Sequence, residues 1–162
     1  MLKPLLYAAA SAVLMAGCAS QPLPAGASRD EVIQRYGSPS RVVPLESGTR
    51  LQYSRQPAGQ SAMMVDLDAA GRLLSVRQVL TPENFARIGS VAIGKWTRDD
   101  AERELGRPAI VDGVASWNGD ILTYRWLDGM QDMFFFVYLD RNNIVQRVGQ
   151  GMEIRSWGDS DR

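Results

Sequence analysis

The sequence predicts an α+β protein made of two tandem units, each with short helices packed on a small antiparallel sheet. Three observations lead to this fold class: an internal repeat, a helix start-and-stop pattern at the front of each copy, and short strand-like segments joined by turn residues. The 162 residues are enough for one ordinary domain or two very small ones. Because the repeat favours two small units, we place the first at 28–80 and the second at 81–152.

The repeat is clearest at the start of each copy, where SRDEVIQRYGSP (28–39) aligns with TRDDAERELGRP (97–108). Three further pairs follow in the same order: Leu-x-Tyr at 51–53 and 122–124, VDLD at 65–68 with VYLD at 137–140, and Val-x-Gln at 76–78 and 148–150. So many ordered matches indicate a duplicated supersecondary unit.

A short capped helix is predicted at the front of each copy. An N-cap hydroxyl, an acid three residues later and a terminal glycine define it, and a proline two residues beyond the glycine stops it. These residues are Ser28, Glu31 and Gly37 in the first copy, and Thr97, Asp100 and Gly106 in the second. Another helix begins at the Thr-Pro-Glu of 81–83, and we assign it to the second unit. The charges of DDAERE (99–104) are typical of a solvated helix face, so we predict no metal site there.

Strands are predicted where short runs of β-branched and apolar residues lie between turn signals. They fall at 41–43, 50–53, 63–68 and 73–79 in the first copy, and at 109–111, 121–127, 133–140 and 144–149 in the second. Because the connections are short, each set should form an antiparallel sheet.

Composition argues against several classes of function. The chain has no histidine, which removes the commonest general base and the commonest neutral metal ligand. Its formal charge of zero lacks the basic excess that binds a phosphate backbone, so we predict no nucleic-acid partner. No nucleophile elbow, P-loop or Ser-x-x-Lys pair is present, and we predict no enzyme and no cofactor. A hydrolase would need a pair of the carboxylates at 66, 68, 128, 132 and 140 to converge in a cleft.

The first 17 residues have the outline of a secretory signal, with Lys3, an apolar run at 5–16 and then Gly17. The apolar run is too short to span a bilayer. It ends at Cys18, the single cysteine of the chain. One interpretation is a cleaved signal with an incidental cysteine.

The stretch LMAGC, residues 14–18, resembles instead the bacterial lipobox. That resemblance implies a thioether-linked diacylglycerol on Cys18 and a further acyl chain on its amine, which together anchor a protein stably. Residues 18–27 would then be the lipidated cysteine and a tether. Ala19, in place of an aspartate, favours the periplasmic side of the outer membrane.

The order of caps, turns and core residues in both copies resembles the SmpA/OmlA (BamE-like) family of outer-membrane lipoproteins. The first copy carries the resemblance through Gly26, Ser28, Gly37, Pro39, Tyr53, Leu67 and Asp68, and the second through Gly94, Thr97, Gly106, Pro108, Tyr124, Leu139 and Asp140. The tandem arrangement is similar to that of the β-lactamase inhibitory protein, whose two repeats present their sheets as one binding surface.

Most aromatic residues lie in the second copy, and the run MFFFVYL (133–139) is apolar on both faces of its strand. One face should meet the helix. The other either packs against the first unit or forms an exposed patch for a partner. The candidate partner-binding residues are Trp117, in a predicted turn, with Tyr124, Trp126, Phe134, Phe136 and Tyr138. In the polar tail at 153–162, Trp157 is either a strap over the domain or part of a disordered end.

These features predict a lipid-anchored outer-membrane protein that binds another envelope protein during outer-membrane protein assembly or maintenance. The family resemblance implies the barrel assembly machinery as a partner. The alternative is a periplasmic inhibitor-like or small-ligand binding protein that uses the paired sheets.

Overall fold

The structure is a computed structural model that describes residues 22–154. Cys18 and Trp157 lie outside this range. The first unit contains helix α1 (Arg29–Tyr36) and strands β1 (Arg41–Leu45), β2 (Gly48–Ser54), β3 (Ala62–Asp68) and β4 (Leu73–Gln78). The second contains α2 (Pro82–Val91), α3 (Arg98–Leu105), β5 (Ile110–Asp112), β6 (Ile121–Asp128), β7 (Gln131–Leu139) and β8 (Val145–Met152). No helix in the described range is long and apolar enough to cross a membrane.

Both sheets are four-stranded antiparallel meanders, with the strands in chain order. The predicted α+β fold with two sheet-bearing units is therefore confirmed. The predicted strands match those observed to within a few residues, and β8 extends three residues further than expected. The predicted N-cap of α2 is confirmed as well, because the Thr81 side chain accepts a hydrogen bond from the Asn84 N–H.

The helix caps follow from the local sequence. Ser28 and Thr97 each form a complete capping box with the acidic residue three positions later. Gly37 and Gly106 end the helices at φ values of 81° and 83°, where glycine is favoured. Their ψ values near −168° differ from those of the common left-handed helical cap, and this backbone region is essentially restricted to glycine.

The two units repeat one another down to single hydrogen bonds. The Tyr53 hydroxyl donates to the Gly37 carbonyl at 3.1 Å, and the Tyr124 hydroxyl donates to the Gly106 carbonyl at 3.2 Å. Each unit also has a β-bulge at the same place in its third strand. These matched details indicate that the duplication is structural as well as sequential.

The strand-end aspartates have the local role that their position predicts. Asp68 Oδ1 accepts backbone hydrogen bonds from residues 70 and 72, and Asp140 Oδ1 accepts the equivalent pair from residues 142 and 144. Both carboxylates therefore hold β-turns.

Each sheet packs its core face against the helices of its own unit. In the first unit, Val32 of α1 covers Leu51 and Val65, which pair across β2 and β3. In the second, Phe85 of α2 stacks on Phe135 at a centroid distance of 4.0 Å, and Leu105 of α3 joins the same cluster. Full burial of such side chains stabilises the fold by about 2 kcal/mol each.

Helix α3 also covers the opposite face of the first sheet. Ala62 and Met64, which point away from α1, belong to the same buried cluster as Ala101 and Leu105 of α3. The contacts therefore order the chain in layers: α1, the first sheet, the helices of the second unit, and the second sheet.

A buried arginine connects these layers. Arg50 is only 5% exposed, and its guanidinium donates to both carboxylate oxygens of Asp66, to Glu104 Oε1 and to the carbonyl of Arg103. The Gln52 amide donates to the carbonyls at 102 and 103, at 3.0 and 3.1 Å. The Glu102 carbonyl also accepts the Gly106 N–H at 2.9 Å, whereas the Arg103 carbonyl lies in the last turn of α3, where no intrahelical donor remains for it. The helix end is thus satisfied by side chains of the other unit.

The segment predicted as a tether, 18–27, is folded in its second half. Leu23 packs on the first core, Ala27 is buried, and the Gly26 N–H donates to the Leu73 carbonyl at 2.8 Å. Residues 23–27 therefore belong to the folded unit, because the core of the first sheet extends past the start of α1.

We expect the Asp66–Arg50 pair to make stability depend on pH. Burial alone would raise the pKa of Asp66, but its bonds with Arg50 and Arg77 outweigh burial and lower the pKa below its usual range. The stabilisation is complete above about pH 4 and is lost as the pH falls through the lowered folded-state value. Asp66→Asn should cost about 3 kcal/mol at pH 7 and flatten the acid side of the stability profile, measured by urea unfolding.

The matched control is Asp128→Asn, an exposed carboxylate at the end of β6. An equal loss of stability in both variants, or an unchanged acid profile in Asp66→Asn, would contradict this account.

Candidate protein-binding surface

The outer face of the second sheet carries a row of aromatic side chains. Alternation along β7 places Phe134, Phe136 and Tyr138 on the side away from the core, and all three are half-buried. Successive ring centroids are 5.8 and 6.2 Å apart. Together with Trp117 and Arg147, described next, these residues form what we call the aromatic face.

Trp117 reaches this face from the β5–β6 loop. Its indole N–H donates to the Leu139 carbonyl at 2.7 Å, and its ring meets the Tyr138 ring edge-to-face at 5.2 Å. The predicted turn position is confirmed, but the side chain is held against the sheet rather than projecting freely from the loop.

Arg147, on β8, supplies the charge of the aromatic face. Its guanidinium carbon lies 3.9 Å from the centroid of Tyr138 and 5.3 Å from that of Trp117. The side chain is exposed, and within residues 22–154 no carboxylate pairs with it. The aromatic face therefore presents a cation that is oriented by two rings and available to an anionic group.

Two glycines of β8 leave space beside the rings. Gly151 pairs with Phe134 and Gly149 with Phe136, so the phenyl rings have no side chains opposite them on the β8 side. A depression of about 520 Å³ opens here, and its lining is Asp112, Val114, Ser116, Trp117, Ile121, Thr123, Phe136, Tyr138 and Arg147. An apolar side chain of a partner would fit such a depression.

Our expectation that Tyr124 and Trp126 join the exposed patch is wrong. They are 0% and 1% exposed and face the core, where Trp126 lies edge-to-face on Phe85 at 5.1 Å. Burial raises the pKa of Tyr124, whose hydroxyl donates to the carbonyl of Gly106.

The reason is the register of the β6–β7 hairpin. Its two-residue turn pairs residue 128 with 131, and therefore Tyr124 with Phe135 and Trp126 with Met133. Directly paired residues share a face, so even-numbered residues of β6 lie on the side of the odd-numbered residues of β7. The Asp-Gly-Met at 128–130 was the sequence signal that could have revealed this register.

The structure also decides between the two interpretations of the MFFFVYL strand. The side that meets the helices carries Phe135, Val137 and Leu139, whose cluster also includes Ala62 and Met64 of the first unit. The side with Phe134, Phe136 and Tyr138 is not buried between the units. Arg147 was not among the predicted site residues, because a lone arginine on an edge strand has no distinctive pattern.

Four of the five carboxylates considered for hydrolysis serve other contacts, and the fifth, Asp128, is exposed at the end of β6. Asp66 pairs with two arginines, and Asp68 and Asp140 hold turns, as described above. Gln60 donates to Asp132 at 2.6 Å across the two units. No group of three or more histidine, cysteine, aspartate or glutamate side chains that could hold a metal occurs within the described range.

No protein-family model matches the chain. No curated protein sequence matches it. A structural similarity is found to YjgB, a DUF4309 family protein from Bacillus subtilis, with 16% identity over 78% of each chain and a TM-score of 0.29. At this TM-score the likeness carries no argument about function.

The two tryptophans should respond very differently to truncation. Trp126→Ala leaves a cavity in the shared core and should cost about 3–5 kcal/mol of unfolding free energy. Trp117→Ala removes one hydrogen bond and a surface ring contact, which should cost about 1–2 kcal/mol. Chemical denaturation of both variants measures the difference. Similar losses would contradict the assignment of one to the core and the other to the surface.

Proposed function

We propose that this chain is a lipid-anchored, protein-binding scaffold of the outer membrane, and that its partner docks on the aromatic face. The observation that carries the proposal is a difference between the two units. The outer face of the first sheet is covered by helix α3, whereas the equivalent face of the second sheet is uncovered.

The equivalence of the two faces follows from the strand pairing. Within the first sheet, Arg50 pairs with Asp66, Gln52 with Met64 and Ser54 with Ala62. The same places in the second sheet hold three pairs, Ile121 with Tyr138, Thr123 with Phe136, and Arg125 with Phe134. The layered stack thus ends on the outer face of the second sheet. The equivalent face of the first sheet binds helix α3.

The chemistry of the aromatic face indicates the kind of partner. The outer face of the first sheet is polar around Arg50 and Gln52, and this polarity suits the end of helix α3, where a carbonyl lacks an intrahelical donor. The outer face of the second sheet is aromatic, with one available guanidinium. A partner helix that presents aliphatic or aromatic side chains, with a carboxylate placed for Arg147, fits both features.

The proposed anchor would hold this surface near the membrane. Because the fold already includes Leu23, only residues 19–22 separate it from Cys18, and these five residue spacings reach at most about 17 Å. Lipidation of Cys18 and the resemblance of both repeats to SmpA/OmlA lipoproteins support a role in outer-membrane protein assembly or maintenance. Components of the barrel assembly machinery are the partners that this resemblance implies.

The alternative, an inhibitor-like or small-ligand binder that uses paired sheets, has less support. Helix α3 occupies the outer face of the first sheet through Ala101 and Leu105, so the two sheets do not join into one open surface.

Replacing Cys18 by Ser tests the anchor. The variant cannot form the thioether, so we expect it in the soluble fraction of fractionated cells with its signal unprocessed. Membrane retention of a processed Cys18→Ser protein would contradict lipidation.

Site-specific crosslinking tests the docking surface. A photoreactive amino acid at position 136, followed by pull-down from intact cells, should recover barrel assembly components. The same probe at exposed Leu74, in the first sheet, serves as the control. Recovery of a soluble periplasmic enzyme alone, or of no protein, would overturn the proposal.

A charge reversal refines the same experiment. Arg147→Glu should reduce the crosslinked yield about tenfold, because it places a carboxylate where the partner's carboxylate binds. Arg29→Glu, at the first helical position of α1, is the matched control and should leave the yield unchanged. Equal yields from Arg147→Glu and the unmodified chain would exclude a role for this cation in docking.

A further inference from the structure

A second concave site lies at the junction of the two units and shares no lining residue with the depression on the aromatic face. This cleft has a volume of about 570 Å³ and is bordered by β1 and β2 of the first unit and by α3 and the start of β5 in the second. Three arginines line it, Arg41, Arg98 and Arg107. We call it the arginine cleft.

Positive charge exceeds negative charge in this cleft. Glu102 is the carboxylate among its lining residues, and it is shared between Arg98 at 2.9 Å and Arg41 at 3.5 Å. Arg98 also reaches Asp120 at 3.2 Å, but Arg107 has no carboxylate partner within residues 22–154. The Arg41 and Arg107 side chains are both exposed, so neither is fully neutralised by the protein.

Neutral groups complete the lining. Ser54 Oγ accepts a hydrogen bond from the Gln56 N–H, and no described hydrogen bond uses its own proton. Pro108, Ala109 and Val111 form an apolar wall. The combination of guanidinium groups, a hydroxyl donor and a short apolar wall is suited to an anion attached to a small organic group.

The repeat shows that the fold does not require this charge. Position 107 corresponds to Ser38 in the first unit, and position 102 corresponds to Ile33. Both units form the same capped helix and the same glycine-terminated end with these different residues. Arg107 and Glu102 are therefore features of the junction, whereas Arg98 has the counterpart Arg29 in the first unit.

We propose that the arginine cleft binds a phosphate group, carried either by a lipid headgroup or by a soluble phosphate ester. Guanidinium groups recognise phosphate through paired, charge-assisted hydrogen bonds, and arginine is preferred wherever such bidentate recognition is needed. This site is separate from the aromatic face and does not depend on the proposed docking function.

Calorimetric titration of the full chain in a nonionic maltoside detergent tests the proposal. The probes are inorganic phosphate, glycerol 3-phosphate and dihexanoyl phosphatidic acid below its micelle concentration, each at constant ionic strength, with chloride as the blank. We expect saturable binding of at least one phosphate compound and none of chloride. A preference for phosphatidic acid assigns the headgroup as the source, and equal or stronger binding of glycerol 3-phosphate assigns a soluble ester.

Arginine variants locate the binding. Arg107→Gln removes an exposed guanidinium that contacts no carboxylate, so the fold should be unaffected, and the affinity should fall about tenfold. The double variant with Arg41→Gln should abolish saturation. Arg29→Gln, which replaces the first-unit counterpart of Arg98, is the control and should bind as the unmodified chain does. Absence of saturable binding by every phosphate compound, or an equal loss in Arg29→Gln, would overturn the proposal.

Discussion

The docking of helix α3 onto the first sheet is the interaction on which the rest of the structure depends. A helix ends with backbone carbonyls that have no intrahelical donor, and burying them unpaired is costly. Arg50 and Gln52 supply donors from the neighbouring unit, and Asp66 and Glu104 compensate the buried guanidinium charge. The pKa of Arg50 is raised by these carboxylates, so it stays charged. One polar cluster thereby joins the two units into one layered body.

This interaction makes two similar units unequal. In the first unit, both faces of the sheet are in contact with helices, one with α1 and the other with α3. In the second unit, only the core face is packed, and the other face keeps its aromatic rings half-exposed beside Arg147. The same docking brings Arg41 of one unit near Arg98 and Arg107 of the other. Both candidate sites are therefore consequences of how the repeats stack and not of the repeat itself.

Much of the fold was predictable because it depends on local chemistry. Capping boxes, terminal glycines and turn aspartates act over three or four residues, so Ser28 and Asp68 could be assigned from their neighbours alone. The side of the sheet on which Tyr124 and Trp126 lie could not be predicted in this way, because it depends on the register of two strands across a hairpin. The extent of the tether was also misjudged, since Leu23 has no local pattern that distinguishes a docked segment from a linker.

By itself, the sequence determined that the chain is a duplicated α+β protein with two meander sheets, and it predicted a lipid anchor at Cys18. Periodicity and caps can be recognised in the sequence because they involve near neighbours, and the repeat can be recognised because its two copies align. Only the tertiary structure decided which aromatic residues are core, that Arg50 satisfies the end of α3, and that Arg147 stands over Tyr138. These contacts join residues far apart in the chain, and their geometry is set by packing between the layers.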